Sequence, residues 1–282
     1  MTSTTHFTYE GDSSEITFAN NNKAFNDWKT KITALLTISE YTSNRVIKIK
    51  SVFPFGDIRY TPNGFVFATM GLFKNGKAVP ACVFLRGDSV AVLVVLVDKM
   101  TKEKYILNVT QPRIAVGEDN HEECVAGMLD TSNNFIGVAA KEILEETGLN
   151  ITDYGLEELC SKPIPMSQGA CDEKIKYYTV EIPMNKKDIL ALEMKCTGNA
   201  EEGECIKLKV RHFDNFKKAI KTGEIHDGKS IIASYFYEKK IEDYENYVST
   251  KKVKCDVPYS QLIIGIVVVV STIVGLMSYL VK

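Results

Sequence analysis

Residues 137–149 read GVAAKEILEETGL, and the fold is decided there. Coiled as a helix, this stretch puts Glu142 and Glu146 on one face, with Glu145 three positions beyond Glu142. Val138, Ile143 and Leu144 can turn toward a core, and Gly148 ends the helix. Three carboxylates crowded into one turn repel each other. A solvated charged face would interleave lysines, and here only Lys141 is near. Spacing alone leaves two readings: a solvated acidic face, or oxygen ligands for a hard divalent cation.

The chain on both sides of this helix is rich in strand signals. Arg45–Phe53 alternates apolar and polar residues. Gly64–Phe73 and Ala78–Leu85 flank the turn signal Lys74-Asn75-Gly76-Lys77, which predicts a hairpin. Ser89–Val97, SVAVLVVLV, is nearly continuous in β-branched residues, as expected of a strand buried on both faces. Further strands are expected at Lys104–Val109, Lys174–Ile182 and Cys205–His212. Phe25, Trp28, Ile32 and Leu35 predict a helix over Lys23–Leu36. Phe213–Thr222 reads as another, and Ile231–Glu238 as helix or strand. Strands before and after a short acidic helix imply an α/β or α+β sandwich.

The segment Lys141–Leu149, KEILEETGL, resembles the second half of the Nudix box, R-E-U-x-E-E-x-G-U with U apolar. Gly127 stands where that box begins, followed by Met128, Leu129 and Asp130. Two positions depart from the pattern: Asn133 replaces a glutamate and Lys141 an arginine, while the Glu-x-x-Glu-Glu run is intact. Other segments, in the expected order, resemble the ADP-sugar and ADP-ribose diphosphatase branch of this superfamily. They are Arg86-Gly87, Gln111-Pro112-Arg113, Glu123-Cys124-Val125-Ala126-Gly127, Gly169-Ala170-Cys171-Asp172-Glu173, Glu201-Glu202-Gly203-Glu204 with Ile206, and Asp227-Gly228-Lys229. The resemblance covers roughly Phe25–Tyr237.

This resemblance implies a Nudix-type α/β/α sandwich of mixed sheet with an N-terminal β-rich extension. The domain plan is a loose polar segment 1–24, a helix and strand-rich subdomain 25–88 that dimerises, and a Nudix domain 89–238. It also implies Mg2+, or Mn2+, held by Glu142, Glu145, Glu146 and the main-chain carbonyl of Ala126. Glu173, with Glu145, would act on the attacking water, and Arg86, Arg113 and Glu204 would contact substrate. The implied reaction is hydrolysis of the pyrophosphate bond of a nucleoside diphosphate sugar to a nucleoside monophosphate and a sugar 1-phosphate. The competing reading is a catalytically weak nucleotide-sugar binding protein or membrane scaffold, which the departures at Asn133 and Lys141 would favour.

The net charge of -2 provides no whole-chain attraction to nucleic acid, so an anionic substrate must be drawn by local charges. Seven cysteines without a Cys-x-x-Cys pair argue against a structural zinc site. Four histidines lie far apart in sequence without metal-ligand spacing. A charged linker, 239–260, precedes 261–281, of which Leu262–Val281 lacks any charge. Twenty such residues at ~1.5 Å each would span ~30 Å, a bilayer's hydrocarbon thickness. Lys251, Lys252 and Lys254 before it, against Lys282 after, place the body in the cytosol. The expectation is therefore a tail-anchored protein on the endoplasmic reticulum or mitochondrial outer membrane, with membrane lipid as a partner.

Overall fold

The computed structural model describes residues 7–53, 65–129, 134–198 and 206–255. The chain divides into two units, 1–234 and 235–282. The first opens with β1 (Thr8–Glu10), α1 (Ser13–Asn21), α2 (Lys23–Leu35), β2 (Tyr41–Phe53), β3 (Phe65–Lys74), β4 (Lys77–Val79) and β5 (Cys82–Leu85). These strands form one sheet in the order β1-β2-β3-β4, with β5 also pairing β3. Asn75 and Gly76, with φ of 49° and 76°, make the tight turn between β3 and β4. Two positive φ values match the twist of a hairpin, and Asn-Gly is the pair that tolerates them.

Residues 8–21 are more ordered than their polar composition suggests. The Asp12 carboxylate accepts the Ser14 N–H at 2.8 Å and so caps α1. Ile16, Phe18 and Ala19 then pack with Phe25 and Trp28 of α2 on Ile47, Ile49, Val66 and Leu85. The apolar spacing of α2 thus turns its buried Phe25 onto the sheet.

The second sheet carries the acidic helix. It is built from β6 (Ser89–Asp98), β7 (Lys104–Arg113), β8 (Glu118–Glu123), β9 (Val125–Met128), β10 (Glu157–Glu158), β11 (Ile164–Pro165), β12 (Lys174–Met184), β13 (Cys196–Thr197) and β14 (Ile206–His212). Its order is β10-β12-β6-β7-β14-β13, with β11 on β12, β8 on β7 and β9 on β6. β6 is central: parallel to β12, and antiparallel to β7 at Val94–Val97 and to β9 at Ser89–Val92. β8 and β9 are thereby wedged where β6 and β7 part.

Helices cover both faces of this sheet. α3 (Phe135–Thr147) buries Val138, Ala139 and Ile143 against Val90, Val92 and Val94. α4 (Lys186–Leu190) adds Ile189 to the same core. α5 (Phe213–Thr222) touches β7 and β14, and its buried Phe216 and Ala219 lie outside that cluster, on the other side. Burial on both faces explains why β6 lacks polar alternation. The result is a mixed-sheet α/β sandwich.

α6 (Gly228–Cys255) spans the boundary between the two units, and its remainder is the described part of the second. Here the expected architecture needs correction. No helix among the described residues is long and apolar enough to cross a membrane. α6 has the length, but Lys239, Lys240, Glu242, Asp243 and Glu245 charge it, and Lys239 is ion-paired to Glu242 at 2.7 Å. It also turns the start of the expected linker, 239–255, into helix. The expected span 261–281 lies outside the described residues. Among the described residues the fold is therefore the sandwich, with no helix able to cross a membrane. The tail anchor, the lipid partner and the placement on a cytosolic membrane surface are withdrawn with it.

Candidate active site

The start of β6 is the hub. Ser89 pairs with Ile175 of β12 on one side and with Met128 of β9 on the other. At ~4.8 Å between neighbouring strands, three segments that the sequence singled out meet at one sheet end. They are Arg86-Gly87 before β6, Ala126-Gly127 on β9 and Asp172-Glu173 before β12. α3 lies directly over β9 and β6.

Gly127 records how tightly α3 is seated. A Cβ there would fall 2.1 Å from both Cδ and Oε1 of Glu142. Only glycine lets that carboxylate reach the β9 backbone beside Ala126. Glu146, one turn on, is 5% exposed, and Glu145 is half-buried with Lys141 3.2 Å away. The replacement of the box arginine by Lys141 therefore leaves a cation on the helix that faces Glu145. α3 is held by its own ends: the Asn134 side chain accepts the Gly137 N–H at 2.9 Å, and the Gly148 N–H donates to Leu144 O.

The loop at 167–173 is fastened to β5 and β6. Phe84 N–H donates to Ala170 O at 2.7 Å, and Asp172 N–H to Phe84 O at 3.2 Å. The Asp172 carboxylate returns the contact, accepting the N–H groups of Arg86 at 2.9 Å and Gly87 at 3.2 Å. This fixes Glu173, whose Oε1 accepts the Ser89 hydroxyl at 3.0 Å and whose Oε2 is 3.5 Å from Arg86 Nη1. Arg86 Nε is buried without a hydrogen-bond partner. Such a donor favours an acceptor that arrives from outside. Asp172 had drawn no separate role in sequence, because an aspartate beside the acid of interest looks like any loop residue.

Arg113 is placed differently. Its Nε donates to Glu123 Oε1 at 2.7 Å, and its Nη2 is 2.5 Å from the same oxygen. Gln111 Nε2 donates there at 3.0 Å, and Lys229 Nζ donates to the other oxygen at 2.7 Å. Lys229 also donates to Asp227 at 2.8 Å. Glu123 is 1% exposed, so this is a buried charge network in which two cations balance two carboxylates. Burial pushes the Asp227 carboxyl upward, but the Lys229 ammonium and the Ser230 hydrogen bonds outweigh it and hold the group below the usual carboxylate range. Glu204 lies outside the described residues.

Among the described residues, two groups of three acid or histidine side chains have ligand atoms within 4.8 Å of one another: Glu118/His121/His226 and His121/Glu123/Asp227. These groupings are of a kind that can bind a divalent cation. In the second, the Lys229 ammonium already lies against both carboxylates. Glu142, Glu145 and Glu146 do not form such a group. Glu142 turns to Gly127 and Glu145 to Lys141. Sequence reading missed the histidine grouping, since 105 positions separate His121 from His226 and only the fold joins them.

No family model matches the chain. The chain is similar to Nudix hydrolase 14, chloroplastic, of Arabidopsis thaliana, 31% identical over 189 residues, 64% of this chain and 58% of that protein. It is similar to the GDP-mannose pyrophosphatase of Escherichia coli O9:H4 (strain HS), 30% identical over 156 residues, 53% of this chain and 73% of that protein. A solved structure described as "Crystal structure of ADP compounds hydrolase" superimposes with a TM-score of 0.49 at 13% identity, covering 70% of this chain and 95% of that one. The two sequence relatives define the class: the chain belongs to the Nudix hydrolase superfamily. The chain spans only 58% of the plant relative's length.

Proposed function

We propose that this protein hydrolyses the pyrophosphate bond of a nucleoside diphosphate sugar, with Mg2+ or Mn2+, to a nucleoside monophosphate and a sugar 1-phosphate. The carrying observation is the close seat of Glu142 on Gly127, with buried Glu146 one turn along. Glu146 is 5% exposed and stands on the helix face that it shares with Glu142, so two carboxylates lie on one side of α3. A glycine kept bare to admit a second carboxylate points the same way. The donor set is carboxylate oxygen, which suits Mg2+, an ion that keeps several of its waters. Glu142, Glu145 and Glu146, with the carbonyl of Ala126, would hold it. When bound, the ion neutralises phosphate oxygens and lowers the pKa of a coordinated water.

The chain's own residues would do the rest. Glu173 takes or orients the proton of the attacking water, steered by the Ser89 hydroxyl. Arg86 offers its buried Nε–H to a phosphate oxygen and, through Nη1, holds Glu173 in place. Asp172 positions both by gripping the backbone at Arg86 and Gly87. Arg113, drawn onto Glu123, contacts substrate with what donor capacity remains. The names of the bacterial relatives favour a sugar nucleotide over other pyrophosphates.

The test is direct. Purified full-length protein with Mg2+ should release nucleoside monophosphate and sugar 1-phosphate from at least one of GDP-mannose, ADP-ribose, ADP-glucose and UDP-glucose. Glu146→Gln should lower kcat/KM by at least about 10²-fold, more than the loss of a merely supporting partner costs at a metal site. Full activity in that variant would overturn the assignment. Nucleotide binding without turnover in the wild-type protein would show a binding protein instead.

A further inference from the structure

We propose that Glu118, His121 and His226 form a second metal site, separate from the α3 acids and suited to Zn2+ or a similar borderline transition ion. Three donors from two distant segments converge there. Glu118 Oε2 lies 2.6 Å from His121 Nδ1, and Glu118 Oε1 lies 2.7 Å from His226 Nε2. The two imidazoles meet edge to face, 5.4 Å between centroids. Two of the chain's four histidines thus share one carboxylate.

The ligand chemistry separates this place from the Mg2+ reading. Two nitrogens and one oxygen favour Zn2+, Ni2+ or Cu2+, whereas Mg2+ prefers oxygen alone. Zn–N and Zn–O bonds of ~2.0–2.2 Å place tetrahedral ligand atoms roughly 3.4 Å apart. The present atoms all lie within 4.8 Å of one another, so small rotations suffice. Entry of the ion exchanges two hydrogen bonds for coordinate bonds, and any proton between carboxylate and imidazole leaves to solvent.

A second observation supports the site. The other nitrogen of His121, Nε2, faces Asp227 Oδ1 at 4.0 Å. At that separation the two are not hydrogen-bonded; a carboxylate on the side of the non-ligating nitrogen is where the support of a metal-bound histidine stands, and a small ring rotation would bring them into contact. Asp227 is itself fixed by Ser230 N–H at 2.9 Å and Lys229 Nζ at 2.8 Å. His226 is 55% exposed, which leaves an entry path and a coordination position for water. The ion would staple β8 to the segment before α6, 108 positions apart in sequence.

The experiment uses chelator-stripped full-length protein titrated with Co2+ and Zn2+, read by visible absorption and calorimetry. One equivalent of Co2+ should bind with ligand-field bands and without thiolate charge transfer. Zn2+ should displace it. His226→Ala, an exposed replacement whose fold is checked by circular dichroism, should weaken binding by at least about tenfold. Glu146→Gln should leave this equivalent intact. The proposal is overturned by absence of binding, by thiolate bands, or by binding that survives His226→Ala and is lost in Glu146→Gln.

Discussion

The carboxylate of Glu142 covers the Cα of Gly127 so closely that an added methyl group would overlap it at 2.1 Å. An alanine at 127 must therefore push Glu142, and with it the first turns of α3, off β9. Gly127→Ala should lower stability by about 1–3 kcal/mol, the usual range for overpacking. It should lower kcat/KM by about 10²-fold, since displacement of about 1 Å is enough for that. Thermal unfolding and steady-state kinetics measure the two effects. An alanine variant with wild-type kinetics would break the link between this seat and catalysis.

Glu173 and Asp172 are neighbours with separable duties. Glu173→Gln removes the base but keeps the Ser89 hydrogen bond, so kcat should fall by ~10²–10⁴ with KM little changed. Asp172→Asn keeps the shape but weakens the grip on the Arg86 and Gly87 N–H groups. It should cost roughly 1–2 kcal/mol of stability, and its kcat loss should be smaller than that of Glu173→Gln. Equal losses in the two variants would argue that loop position, not proton transfer, is what Glu173 provides.

Lys229→Met tests the buried charge network. It leaves Glu123 with Arg113 and Gln111 and Asp227 without its ammonium. Breaking a buried pair from one side costs about 3–5 kcal/mol. Chemical denaturation should show a loss of that order. A loss within ~0.5 kcal/mol would mean that water already screens these charges.

The same network sets a pH dependence. The Asp227 carboxyl is held below its ordinary value, because Lys229 and Ser230 outweigh the effect of burial. Its contribution to stability is thus fully present above about pH 4, the unfolded carboxyl value, and disappears as pH falls through the lower folded value. Lys229 is shifted upward: burial lowers it, but Glu123 and Asp227 more than compensate. Its contribution is present below about pH 10 and is lost only above that. The melting temperature should therefore fall on acidification below pH 4. Lys229→Met should show a shallower fall; an identical acid slope in both proteins would exclude this network as its source.

Ile143→Ala probes the packing that carries the acids. Ile143 is fully buried in the core beneath α3. Its truncation should cost about 2–5 kcal/mol by cavity formation. Urea unfolding measures it. A cost under 1 kcal/mol would mean that α3 is not anchored to β6 through this residue.

Periodicity and turn chemistry were legible without coordinates. Asn75-Gly76 marked its hairpin because few residues adopt two positive φ values, and Ser89–Val97 announced a strand covered on both sides. Phe213–Thr222 formed the expected helix, and Gly148 ended α3 as its sequence position implied. Ile231–Glu238, ambiguous between helix and strand, joined a long helix that also absorbed most of the charged linker. The acidic face of 137–149 and the ordered segments around it were enough to indicate the superfamily.

Local sequence by itself determined which segments coil, extend and turn, because backbone preference and apolar spacing act within a few residues. It also determined which acids share a helical face. Only the tertiary structure decided which charges meet. It drew Arg113 onto Glu123, set Asp172 under Arg86, joined His121 to His226 and turned Glu142 onto Gly127. Those outcomes depend on strand order and register, which bring together groups from ten to over a hundred positions apart. Coulomb attraction and hydrogen bonding act across a few ångströms of space and take no account of distance along the chain.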